Sequence, residues 1–123
     1  MDISQISTSA LAYLGDSVLE TLIRECLVLK GYEKSSKLNK EALNYVTAVN
    51  QAVAFKNIEC VLTEDEAVIF RRGKNCSHLN APKSASLLEY KIATGFESIF
   101  GYLRLQKKEA RILELFHLAY PEI

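Results

Sequence analysis

Apolar side chains recur every three to four residues along nearly the whole 123-residue chain, and only two prolines, Pro82 and Pro121, interrupt it. That period selects helices, because strands need two-residue alternation between turn signals. The first helix is expected to start near Ser4 or Ser7 and to end at Gly31. Leu11, Leu14, Val18 and Leu22 form one face, which Leu19 and Ile23 widen. A second helix is expected from Ser36 to Ile58, carrying Leu38, Ala42, Tyr45, Val46, Val49, Val53 and Phe55. Thr63-Glu64-Asp65-Glu66 matches a capping box and opens a third helix ending near Arg72, with a loop from Gly73 through Pro82. Ser86-Leu87-Leu88-Glu89 is another such box. It opens a helix reaching about Leu105, with Ile92, Phe96, Ile99, Phe100 and Leu103 as its core stripe. A last helix spans Lys107 to Ala119, before Pro121. No segment reads as a strand, so the expected fold is all-α, in one domain over residues 1–123.

An apolar fraction of 49% is enough for a core without disulfide staples. Cys26, Cys60 and Cys76 are far apart and form no C-x-x-C pair, which excludes a disulfide framework and a zinc-finger motif. All three are expected to be reduced, with Cys26 and Cys60 in the core. There is no run of eighteen apolar residues, and Met1 to Gln5 lack the basic and apolar regions of a signal peptide. The expectation is a cytoplasmic protein with no membrane partner. Net charge is zero but unevenly spread. Ten carboxylates face six basic residues up to position 70, whereas residues 71 to 111 hold nine basic residues and three acidic ones. Such asymmetry points to a surface that meets a polyanion, with a solvated basic face as the alternative.

Two acids stand out against their surroundings. Asp16 lies within Leu11-Ala12-Tyr13-Leu14-Gly15-Asp16-Ser17-Val18-Leu19-Glu20, and Glu97 within Thr94-Gly95-Phe96-Glu97-Ser98-Ile99-Phe100-Gly101. A carboxylate in an apolar helix is costly unless it is solvated in a cleft, paired with a base or holding a cation. Glu20 sits one turn from Asp16, and like charges at that spacing repel. Mid-helix glycines cost roughly 1 kcal/mol each relative to alanine, yet Gly15 adjoins Asp16, and Gly95 and Gly101 flank Glu97. Absent side chains let helix backbones approach. The two helices are therefore expected to pack closely enough to bring Asp16 and Glu97 to one cation. Oxygen-only ligands favour magnesium, or manganese in its place, over zinc. A buried salt bridge to arginine or lysine is the alternative resolution.

The run Leu11-Ala12-Tyr13-Leu14-Gly15-Asp16-Ser17-Val18 resembles the signature helix of the ribonuclease III family. Ala81-Pro82-Lys83 through Tyr90-Lys91, followed by Ala93 to Leu103, resembles that family's C-terminal helix. With Arg71-Arg72-Gly73-Lys74-Asn75, these stretches are most similar to the compact Mini-ribonuclease III branch, whose chain is the catalytic domain alone. The resemblance covers almost the whole chain. It implies a ribonuclease III-type helical endonuclease domain with Asp16 and Glu97 as catalytic and metal-binding residues, and with Glu20 and Thr94 in supporting positions. It departs from the wider family at Ser9, Ala12 and Thr94, where further acids usually stand.

The implied activity is metal-dependent hydrolysis of double-stranded RNA, leaving 3′-hydroxyl and 5′-phosphate ends. The implied substrate is the paired ends of the 23S (large-subunit) ribosomal RNA precursor. An A-form duplex is read through its shape and its phosphates, and Arg71, Arg72, Lys74, Asn75, Lys83 and Lys91 are the expected contacts. Affinity is expected from this domain alone, doubled in a homodimer that sets one site against each strand. The apolar ring Leu11, Tyr13, Leu14, Leu19, Leu22 and Ile23 of the first helix is the expected interface. Two other readings stand beside this one: a catalytically inactive ribonuclease III-like domain that binds structured RNA, and a helical protein-interaction module.

Overall fold

The computed structural model describes residues 2–76 and 85–123. Among them lie six α-helices and no strand: α1 (Thr8–Leu29), α2 (Ser35–Val46), α3 (Ala48–Lys56), α4 (Glu64–Lys74), α5 (Leu87–Leu105) and α6 (Glu109–Ala119). The helix ends follow local chemistry. Ser7 caps α1 by accepting from the Ala10 amide at 3.1 Å. Gly31, at φ 99°, takes the left-handed turn beyond the end of α1. Both capping boxes form: Thr63 and Ser86 accept the N3 amides, and Glu66 and Glu89 accept the cap amides at 2.9 and 2.8 Å. None of the described helices is long and apolar enough to cross a membrane.

Three expectations are corrected. The segment expected as one helix from Ser36 to Ile58 breaks at Thr47, whose backbone is extended (φ −71°, ψ 155°). Asn50 pins the break by donating through Nδ2 to Thr47 Oγ1 at 2.8 Å and to the Leu43 carbonyl at 3.2 Å. Apolar periodicity runs straight through such a break, so the pattern did not mark it. Gly73 does not begin a loop. It lies inside α4, buried, and a Cβ there would stand 2.7 Å from Gly95 Cα. The rest of the expected loop, with Lys83, lies outside the described residues. Cys60 is exposed on a short 3-10 turn and is not a core residue, while Cys26 is half-buried and packs against the edge of the core.

Helix α5 is the axis of the domain and packs against α1, α3, α4 and α6. From Ala93 to Leu103 every residue of α5 is buried except Glu97. A helix apolar on all sides belongs in a core, and α5 fills it with Phe96, Ile99, Phe100 and Leu103. Glycines set how closely its neighbours come. A Cβ on Gly15 of α1 would overlap the Glu97 carbonyl oxygen and lie 2.9 Å from Gly101 N. One on Gly101 would overlap the Leu11 carbonyl oxygen. Gly95 turns away from α1 and abuts Phe70 of α4. At an open helix position Gly→Ala stabilises by up to about 1 kcal/mol. Here the obstacle is backbone, which cannot step aside. Gly15→Ala and Gly101→Ala should each lower stability by about 3 kcal/mol, read as a fall in the urea midpoint.

A buried ion pair ties α6 to α4. Glu66 is 3% exposed and accepts from Arg111 Nε at 2.9 Å and Nη2 at 2.8 Å. Arg111 also donates to the Val61 carbonyl at 2.7 Å. Burial pushes the Glu66 carboxyl up, but bonds from Arg111 and the Thr63 amide outweigh it and hold the group below its ordinary value. A depressed carboxyl adds stability that is complete above the unfolded glutamate pKa of about 4.3 and is lost as pH falls through the folded value. Glu66→Gln should therefore cost about 1–3 kcal/mol at pH 7, because it removes the buried carboxylate and leaves Arg111 to Glu114 and the Val61 carbonyl. The gap to wild type should narrow as pH drops below about 4, which urea titrations at the two pH values would show.

Candidate active site

Two helices contribute the same register to one cleft. Ser9, Ala12, Tyr13 and Asp16 of α1 line one wall, and Tyr90, Ala93, Thr94 and Glu97 of α5 line the other. Each set is spaced i, i+3, i+4, i+7, the face that a straight helix presents to one side. The start of α3 closes the cleft through Ala48 and Gln51. The volume is about 400 Å³.

Asp16 and Glu97 meet there because of the glycine contact. Gly15, beside Asp16, abuts the backbone carbonyl of Glu97 itself. The helices are therefore closest where the acids project. Asp16 is exposed to the cleft and Glu97 is half-buried. Burial first, and then the charge and hydrogen bonding of Asp16, push the Glu97 carboxyl up to about 8, against an opposing pull from the Gln51 amide. Without a cation, the Glu97 carboxyl therefore favours its protonated form at neutral pH. Among the described residues no salt bridge involves Asp16 or Glu97. That disposes of a described arginine or lysine as the partner resolving their conflict.

The donor set suits a hard divalent ion: two carboxylates lining an open cleft, with the Gln51 amide and Thr94 hydroxyl at hand. No group of three or more His, Cys, Asp or Glu that could hold a metal occurs among the described residues. Magnesium is commonly held by only one or two carboxylates, with water and substrate phosphate completing the octahedron, so two acids are sufficient.

The other expected residues are dispersed. Glu20 turns along α1 to pair with Arg24 at 2.9 Å and does not line the cleft. Thr94 does line it, buried, with its hydroxyl donating to the Tyr90 carbonyl at 3.0 Å. Arg71 and Asn75 are exposed at the end of α4, and Lys74 is half-buried beside them. Arg72 bends back to the N-terminal segment and donates to the Ile6 carbonyl at 3.0 Å. Lys91 is half-buried on α5, and Lys83 lies outside the described residues. Cys76, just past α4, lies 3.9 Å from Ser9 of the cleft wall, so the end of α4 borders the cleft. Gln51, Tyr13 and Tyr90 line the cleft without having been anticipated. The break at Thr47 explains the first: α3 buries Gln51, Ala52, Ala54 and Phe55 and leaves Val53 57% exposed, which is not the face that a continuous helix would bury.

Comparison with known proteins agrees with this geometry. Residues 9–108 match the Ribonuclease III domain family. The chain belongs to the ribonuclease III family. Its relatives place it in the Mini-ribonuclease 3 branch. It is 42% identical over 109 residues to Mini-ribonuclease 3 of Symbiobacterium thermophilum, covering 89% of this chain and 84% of that one. It is 39% identical over 124 residues to Mini-ribonuclease 3 of Enterococcus faecalis, covering 99% and 94%. A crystal structure of a Fusobacterium nucleatum protein superposes with a TM-score of 0.87 at 36% identity, covering 98% of this chain and 96% of that one. By family the chain is an endoribonuclease with the all-helical fold expected of it. Ser9, Ala12 and Thr94 all line the cleft that holds Asp16 and Glu97.

Proposed function

We propose that this endoribonuclease cleaves double-stranded RNA with magnesium held by Asp16 and Glu97, and that its substrate is the paired ends of the 23S ribosomal RNA precursor. The observation that carries the reading is the pair of acids converging, with no basic partner among the described residues, at a cleft between α1 and α5. Manganese has the same hard-ligand preference and is the expected substitute. When bound, the ion supplies Lewis acidity and charge neutralisation for phosphodiester hydrolysis. The chain's own residues do the rest. Asp16 and Glu97 project their oxygens into one volume, and the carbonyl of Glu97 against Gly15 fixes the distance between the helices that carry them. No serine or cysteine nucleophile is needed.

The RNA reading draws on the relatives named Mini-ribonuclease 3 and on the basic end of α4 beside the cleft. Arg71, Lys74 and Asn75 are the contacts that the exposure of that end favours, with Lys83 and Lys91 as further phosphate ligands. Arg72 serves the same surface from its bond to the N-terminal segment. We include a homodimer, since a duplex presents two strands and a twofold axis supplies two identical sites. Much of the ring on α1 turns inward, with Leu11, Leu19 and Ile23 buried. Tyr13 stays 84% exposed at the cleft and favours a second surface there. A cytoplasmic location accords with an RNA substrate.

The deciding experiment incubates the protein and magnesium with precursor ribosomal RNA and maps the ends. Defined cuts in paired segments support the reading. RNA that is bound but left whole defeats it in favour of an inactive binding domain. Asp16→Asn and Glu97→Gln should each reduce cleavage by at least about a hundredfold while folding and duplex binding persist. The double variant should be little worse than either, because both residues serve one site. Alanine at Arg71 and Lys74 together should flatten the dependence of log affinity on log salt by roughly one to two units, about 0.9 per lost phosphate contact on duplex DNA. Filter binding between low and physiological salt would measure it.

A further inference from the structure

Gln51 is a polar side chain where burial makes one expensive. It is 3% exposed, on a helix whose other buried residues are Ala52, Ala54 and Phe55. An amide left without partners in such a place is destabilising, so its position calls for a partner worth keeping. The partner its surroundings offer is the Glu97 carboxyl across the same cleft, which hydrogen bonding from Gln51 pulls down against burial and Asp16. Both line the cleft that Asp16 opens into.

The local chain is built to hold it there. Thr47 stops α2 and caps α3 by accepting from the Asn50 amide at 3.4 Å. The Asn50 side chain clamps the break to the last turn of α2. The Gln51 backbone N–H donates to the Thr47 carbonyl at 2.9 Å, so Gln51 takes its place in the first turn of α3 directly after the break. The break therefore sets which residue of α3 meets α5. A continuous helix would have presented a different face.

We infer that Gln51 is a positioning residue for the metal-binding carboxylate: its amide orients Glu97 toward the cation shared with Asp16. The inference rests on the proposed metal site. The residue type suits the role for a reason of charge. A lysine or arginine at this place would pair with Glu97 and neutralise the acids, leaving nothing to attract a cation. Another acid would add to their repulsion. An amide donates to one carboxylate oxygen, leaves the other free for a ligand, and adds no charge. Groups that hold metal-binding carboxylates are typically worth ten- to a hundredfold in metal affinity.

The test measures manganese uptake by the RNA-free protein, from the electron paramagnetic resonance signal of the free ion. Wild type, Gln51→Met, Gln51→Asn, Glu97→Gln and the Gln51→Met/Glu97→Gln double variant are compared. Methionine keeps the length and loses the donor, while asparagine keeps the amide but draws it back, so one variant serves if the other does not fold. The expected result is a rise in the manganese dissociation constant of about tenfold or more for Gln51→Met and Gln51→Asn. The Glu97→Gln background should show no further loss, as coupling through that carboxylate requires. The magnesium concentration giving half-maximal cleavage should rise likewise, with duplex affinity in EDTA unchanged. A folded Gln51 variant with wild-type manganese affinity, while Glu97→Gln has lost it, overturns the inference and leaves the metal site standing. An equal loss in both backgrounds also overturns it, since it marks a purely structural role. Failure of wild type to bind manganese, or full binding by Glu97→Gln, overturns both readings.

Discussion

The backbone contact between α1 and α5 is the constraint on which the rest of this domain depends. Gly15 and Gly101 leave no side chain between the helices, and the carbonyls of Glu97 and Leu11 occupy the space a Cβ would need. Two consequences follow from one approach. The core can close around α5, whose buried stretch from Ala93 to Leu103 needs apolar neighbours on every side. The acids next to that contact, Asp16 on one helix and Glu97 on the other, are forced to share a volume. Fold and site are thus specified by the same residues. The conformational cost of two glycines within helices is offset in both.

A second glycine pair, Gly73 against Gly95, repeats the device between α4 and α5. Because Gly73 is a packing residue and not a helix terminator, α4 runs on to Lys74 and carries Arg71, Arg72, Lys74 and Asn75 to its end. Basic residues in a last turn also complement the helix dipole, worth some tenths of a kcal/mol each, so their presence alone proves nothing about RNA. Their position says more. The residue just beyond them, Cys76, lies against Ser9 of the cleft wall, so a phosphate backbone held at that end would pass the acids.

The all-helical class, both capping boxes and the convergence of Asp16 and Glu97 were legible in the sequence because each rests on short-range rules: a 3.6-residue period, a three-residue cap spacing, and glycines beside isolated acids. What was not legible depends on three dimensions. The break at Thr47 leaves the apolar period intact, so nothing along the chain announced that Gln51 would turn inward and Val53 outward. Gly73 reads as a helix stop by residue type, and only the opposing Gly95 reveals otherwise. Glu20 lies on nearly the same face as Asp16 by spacing, but Arg24 one turn further along claims it. Cys60 looks like a core residue by composition, yet it falls on a short exposed turn.

Glu66, buried, and Glu97, half-buried at the cleft, show how structure and function divide one residue type. Glu66 is given everything a buried carboxylate needs: two guanidinium nitrogens of Arg111 and the Thr63 amide, and its pKa falls below the ordinary range. Glu97 receives only a neutral amide and a second acid, and its pKa climbs to about 8. A fold selected for stability alone would not leave the second arrangement at the edge of its own core, because a hydrophobic side chain there would be cheaper. A carboxyl kept without a described base in a solvent-accessible cleft, next to another acid, has the perturbed environment common at functional sites, and it accords with the proposed cation. The contrast between Glu66 and Glu97 also explains why the position facing Glu97 on α3 carries glutamine. A cation such as Arg111 in its place would have made a second Glu66, stable and inert.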